Sequence, residues 1–165
     1  MREADLKDFS AFLNEFQAET DRGAAMVGAA LLDQKLGETL RSFFVAGKGA
    51  TELLDGGSAV LGTFSARIKL AHALGLIDDF EQSECNLIRK IRNEFAHGIH
   101  GVGYADARIT KMCEGLQSDL PGGREVFKGN HRAMFVNAVC LLVMRLTYRA
   151  EWVIKEKRET RRWPY

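Results

Sequence analysis

Helical spacing of apolar residues along nearly the whole chain predicts an all-α fold, a single-domain bundle of five to six helices. Three observations lead there. Apolar residues recur at i, i+3 and i+4 in one segment after another, and no stretch alternates convincingly with period two. Only two prolines occur, Pro121 and Pro164, so long stretches keep every backbone donor that a helix needs. At 165 residues, with 46% hydrophobic and 27% charged side chains, the chain can bury one ordinary core without disulfides or metal. We therefore read residues 1–165 as one domain, with residues 158–165 as a basic tail.

The elements follow in order. Leu6, Phe9, Phe12, Leu13 and Phe16 form the stripe of a first helix. Thr20 or Asp21 is placed to cap a second helix reaching about Phe44, with Met26, Val27, Ala30, Leu31 and Phe43 expected to face inward. Gly47-Lys48-Gly49 ends it, a short turn follows at 51–54, and Asp55-Gly56-Gly57-Ser58 breaks the chain. Thr63 or Ser65 starts a third helix bearing Ile68, Leu70, Ala71 and Leu74, with Gly75 where a helix-ending glycine belongs. Asp78 and Asp79 favour the start of a fourth, closed by Gly98. Residues 105–120 make a weaker fifth helix, Pro121-Gly122-Gly123 a loop, and Asn130 or His131 opens a long last helix to about Lys157.

Charge and cysteine usage narrow the function classes. Basic and acidic residues number 23 and 22, a net charge of +1, so any attraction to nucleic acid must come from a local patch. Cys85, Cys113 and Cys140 are odd in number and far apart, which suits a reducing cytoplasm rather than a disulfide framework or zinc knuckle. Residues 1–20 carry charges throughout, so no secretory leader is expected there. The most apolar run, 133–146, contains Asn137 and Arg145 and is shorter than the roughly 20 residues a bilayer requires, so it reads as a buried core helix. Together these features point to a cytoplasmic protein with no membrane role.

The most pointed chemistry lies in residues 87–98, LIRKIRNEFAHG. Each helical residue adds about 100° of rotation, so Asn93 and His97 share a face, with Arg89 and Arg92 flanking it. Leu87, Ile88, Ile91 and Phe95 form the opposite, apolar stripe. One reading is structural: a histidine in the last turn complements the helix dipole and an asparagine bonds locally. The other is metal-free acid–base chemistry on RNA. His97 would move the 2′-hydroxyl or leaving-group proton, and Arg92 would hold the phosphate as its charge grows.

Arg92-Asn93-x-x-x-His97 on a helix of an all-α bundle resembles the signature of the HEPN superfamily, which includes metal-independent ribonucleases that work as dimers. That resemblance implies catalytic roles for Arg92, Asn93 and His97 in a cleft shared by two subunits, with RNA as substrate. A second resemblance covers more of the chain. Residues 13–36 (LNEFQAETDRGAAMVGAALLDQKL), 61–77 (LGTFSARIKLAHALGLI) and 87–98 resemble the mannitol operon repressor (MtlR) family, in that family's order. It implies an all-helical transcriptional regulator, a homodimer that represses through a protein partner rather than a DNA-reading module. The stretch from Gly101 onward carries less of the likeness.

The physics of the remaining segments is consistent with that implication. A helix-turn-helix would have to use residues 66–75 followed by Asp79 onward, and Asp79, Glu81 and Glu84 would then set three carboxylates against phosphate. Direct DNA binding is therefore expected to be absent or weak. Lys157, Arg158, Arg161 and Arg162 belong to a basic stretch, 155–163, of five cations against two acids. It reads either as a solvated helix end complementing the dipole or as a salt-sensitive nucleic-acid tail. The small residues at Gly23, Ala24 and Ala25 suit close helix packing or a dimer contact. Glu19, Asp21 and Arg22 are candidates for an interaction surface, or for an ion network, with Arg67, Arg89 and Arg92. His97 and His100 straddle Gly98 and His72 is remote, so no metal site is expected, and no cofactor. Gly47-x-Gly49 and Gly101-x-Gly103 lack the strand–loop–helix setting of a phosphate loop and read as turns.

Overall fold

The structure, a computed structural model, describes residues 2–56, 58–99 and 101–164, so Gly57 and His100 lie outside the described residues. Among the described residues there are eight α-helical segments and no strand. They are α1 (Glu3–Ala18), α2 (Asp21–Phe43), α3 (Lys48–Leu54), α4 (Phe64–Ala73), α5 (Asp79–His97), α6 (Ala107–Glu114), α7 (His131–Leu146) and α8 (Arg149–Val153). Two short 3₁₀ turns, Arg124–Phe127 and Ile154–Glu156, complete the order.

Helix starts follow local capping chemistry. Thr20 accepts from Gly23 N–H, Thr63 from Ala66 N–H and Asn130 from Ala133 N–H. Asp78 and Glu81 form a reciprocal capping box at the start of α5. Gly75, at φ +70°, ends α4 in the left-handed conformation that favours glycine, and Leu76 N–H returns to the Ala71 carbonyl.

α2 is the central helix and packs against α4, α5, α7 and α8. Its buried face differs from the expected one. Ala24, Ala25, Gly28, Ala29, Leu32, Leu36 and Leu40 point inward, whereas Met26, Val27 and Ala30 are exposed and Leu31 is half-buried; of the expected set only Phe43 is buried. The reason is steric. A helix surrounded by others gains more from close backbone approach than from side-chain bulk. A Cβ on Gly28 would already lie 3.0 Å from Val139 and 3.1 Å from Phe16.

The last helix also departs from expectation. It stops at Leu146, resumes as α8, and residues 157–164 have no regular secondary structure. Thr147 Oγ1 donates back to the Val143 carbonyl at 2.7 Å, Tyr148 OH donates to Asp5 Oδ2, and Arg149 turns inward to Glu81. The run His131–Glu156 is long and apolar enough to cross a bilayer by length and composition. In the structure it is broken at 147–148, and Phe135, Ala138, Val139 and Leu142 of α7 are fully buried. The glycine pair at 47 and 49 opens α3 rather than only ending α2, and the weak fifth helix contracts to α6.

Candidate interaction surface and the RNxxxH face

α5 presents two faces. Cys85, Ile88, Ile91 and Phe95 are fully buried, while Leu87 is half-buried. Glu81 and Glu84 are buried as well, which corrects the reason for doubting a helix-turn-helix: two of its three carboxylates never face solvent. Glu81 accepts from Arg149 Nη2 at 2.7 Å, and Glu84 accepts from Gln117 N–H at 2.8 Å and Ser118 N–H at 3.1 Å. Two of the three carboxylates on the first turns of α5 are thus held inside the protein, while Asp79 stays exposed.

On the outer face His97 is exposed in the last turn, and Asn93 and Arg92 are half-buried. His97 lines a shallow pocket of ≈ 310 Å³ with Glu94, Asp106 and Arg108. Arg108 reaches Glu94 at 3.5 Å, so the pocket holds two carboxylates for one guanidinium. Arg92 acts elsewhere, on Asp33 of α2. Burial pushes the Asp33 carboxyl above its ordinary value, and Arg67 and then Arg92 pull it back. Arg92 is not among the residues that line the His97 pocket.

The expected ion network divides into two. Asp21 accepts from Tyr104 N–H at 3.2 Å and pairs with Arg132 at 3.5 Å; Arg132 also donates to the carbonyls of Gln17 (3.0 Å) and Glu19 (2.6 Å). Glu19 thus contributes its backbone, and Asp21 joins α1, α2 and α7. Arg22 donates to the Gly98 carbonyl at 2.5 Å, tying the start of α2 to the end of α5. Arg67 belongs to the second group. Its Nη1 lies 3.0 Å from Asp33 Oδ1, and its Nε and Nη2 donate to the carbonyls of Leu61 (2.9 Å) and Leu54 (3.1 Å). Gly37 leaves room for it, since a Cβ there would sit 3.3 Å from the guanidinium. Asp33, which sequence reasoning missed, is the acid that Arg67 needs; its signal was a lone carboxylate between Leu32 and Leu36. Arg89 is half-buried, with Nε buried and without a partner among the described residues.

Arg22 bonded to Gly98 at one end, and Asp33 facing Arg92 further along, make α2 and α5 antiparallel neighbours. On α2, Arg22, Met26, Val27 and Ala30 are exposed, and on α5 Arg89 and Arg92 are half-buried. In the tail, Arg158 N–H donates to the Phe43 carbonyl at 3.0 Å and its guanidinium lies 5.5 Å over the Phe43 ring. Lys157, Arg161 and Arg162 are exposed. His72 pairs with Asp79 at 2.7 Å, and among the described residues no three His, Cys, Asp or Glu side chains cluster to hold a metal.

Comparison of the sequence with protein-family models and with curated proteins gives no match. Comparison of the structure does. A chain in the X-ray structure of the MtlR-HPr complex from Escherichia coli superposes with a TM-score of 0.58 at 21% identity, over 88% of this chain and 98% of that one. The chain has an MtlR-like fold. At this identity the likeness is one of architecture.

Proposed function

We propose that this chain is a transcriptional repressor of the mannitol-operon type, cytoplasmic and homodimeric, that acts by binding a protein partner rather than by reading DNA through a helix-turn-helix. The observation that carries the reading is the fold shared, over nearly its whole length, with a protein crystallised as a complex with HPr. Asp78 and Asp79, both exposed at the start of α5, support it, because a helix entering a groove there would set carboxylates against phosphate. The α2–α5 surface is the proposed contact. Met26 and Val27 supply exposed apolar area, and Arg22, Arg89 and Arg92 supply cations suited to an acidic rim. The test is calorimetric titration of the purified chain with HPr. Binding that weakens at least tenfold in Met26→Asp and Arg92→Glu is expected; absence of binding to HPr would remove the support that the fold lends.

Exposure of His97 at the end of α5 keeps a second reading in view, a metal-independent HEPN-type endoribonuclease with Arg92, Asn93 and His97 as catalytic residues. Its test is incubation with single-stranded RNA in excess chelator. Cyclic-phosphate ends that vanish in His97→Ala would establish it; intact RNA with the unmodified chain would dismiss it.

A further inference from the structure

The chain has two tryptophans, and both lie at its C-terminal end and are exposed: Trp152 on α8 by 65% and Trp163 in the tail by 76%. Trp is a costly residue to leave in water, because its large apolar face gains most from burial or stacking. Around these rings the sequence places Lys155, Lys157, Arg158, Arg161 and Arg162, interrupted by Glu156 and Glu159. Completion of a helix dipole does not account for these cations. The last helical turn ends at Glu156, so Lys157 and all three arginines lie on non-helical chain beyond it. The tail is nonetheless anchored at one point, where Arg158 N–H donates to the Phe43 carbonyl at 3.0 Å. Lys155 Nζ sits 4.1 Å from the Trp152 ring centroid, so a cation and an indole are already presented together.

Exposed aromatic faces beside several cations, most of them on non-helical chain, match a polyanion that offers flat, unstacked faces of its own. We propose that α8 and the tail bind single-stranded nucleic acid, with Trp152 and Trp163 stacking on bases and Lys155, Lys157, Arg158, Arg161 and Arg162 meeting phosphates. Duplex nucleic acid is a poorer fit, because indoles stack only on bases that are already unstacked. An anionic lipid surface is disfavoured by the interleaved acids and by the lack of an amphipathic helix in the tail. The site is independent of His97 and of the α2–α5 surface.

Because both tryptophans lie in the proposed site, intrinsic fluorescence reads it directly. Titrating the full chain with oligo-dT and oligo-U of about 15 nucleotides at about 50 mM salt should quench the emission saturably. Three to five phosphate contacts should give a log–log salt slope of about −2 to −3.5. Anisotropy of a labelled oligonucleotide follows variants that lack an indole. Trp163→Ala should bind roughly tenfold more weakly and Trp163→Phe should retain most of the affinity. Joint Arg158→Gln, Arg161→Gln and Arg162→Gln should flatten the salt slope, and His97→Ala should change nothing. Circular dichroism checks that the fold persists in each variant. No saturable quenching, or equal binding by all variants, would overturn the proposal. So would blue-shifted emission with phosphatidylglycerol vesicles but no response to oligonucleotide, which would assign the surface to lipid.

Discussion

Glu81 meets three demands from a carboxylate that is almost wholly buried. It caps the Asp78 backbone N–H at 3.1 Å, accepts both terminal nitrogens of Arg149, and lies 3.8 Å from Arg145. Truncation would leave the half-buried Arg149 guanidinium unpaired and open the capping box. Glu81→Ala should therefore lower unfolding free energy by about 3 kcal/mol or more, read from the urea midpoint at constant m-value. Thiol chemistry is graded by the same burial. It pushes Cys85 and Cys113 up to about 12 and Cys140 up to about 11, and Cys140 alone is partly accessible. In the folded protein at pH 8, a disulfide reagent should modify Cys140 slowly and the other two only after denaturant is added. Fast modification of all three would mean that the core opens readily.

At the scale of elements, glycine's effect depends on what surrounds it. Gly28 sits where α2 meets α1 and α7, with Phe16 and Val139 close by, so Gly28→Leu should cost about 2 kcal/mol or more through overpacking. Gly49 lies inside α3 with nothing within 4 Å of a Cβ, so Gly49→Ala should raise stability by about 0.5–1 kcal/mol through helix propensity. Thermal melts of the two variants should therefore move in opposite directions. The break between α7 and α8 has a comparable logic. A continuous helix would carry Arg149 away from the Leu76 carbonyl and Glu81, which it bonds only because the chain turns at Tyr148. The same break places Trp152 and Lys155 on the outside, where the proposed nucleic-acid surface begins.

The molecule as a whole should lose stability in alkali. Burial holds Cys85 and Cys113 near 12 and raises the Tyr104 phenol further still, so the unfolded chain releases these protons first. The thiol contribution is fully present below about pH 9 and is lost as pH rises through the folded values, at about 1.4 kcal/mol per pH unit for each thiol. Urea midpoints at successive pH values should fall above about pH 9, and more gently in Cys85→Ala with Cys113→Ala. Much of this architecture was legible in the sequence. The helix starts, narrowed to Thr20 or Asp21, Thr63 or Ser65, Asp78 with Asp79, and Asn130 or His131, depend on neighbours within about four residues, as do the glycine stop after α4, the apolar stripe of α5 and the shared face of Asn93 and His97. What the sequence left open were the relations between distant helices. These include the inward turn of α2's small residues, the burial of Glu81 and Glu84, and the pairing of Asp21 with Arg132 and of Arg67 with Asp33. A helix forms by hydrogen bonds along its own chain, and local chemistry specifies it. Which side chains meet across the bundle depends on how closely two helices can approach and at what angle, and only the packed tertiary structure decides that.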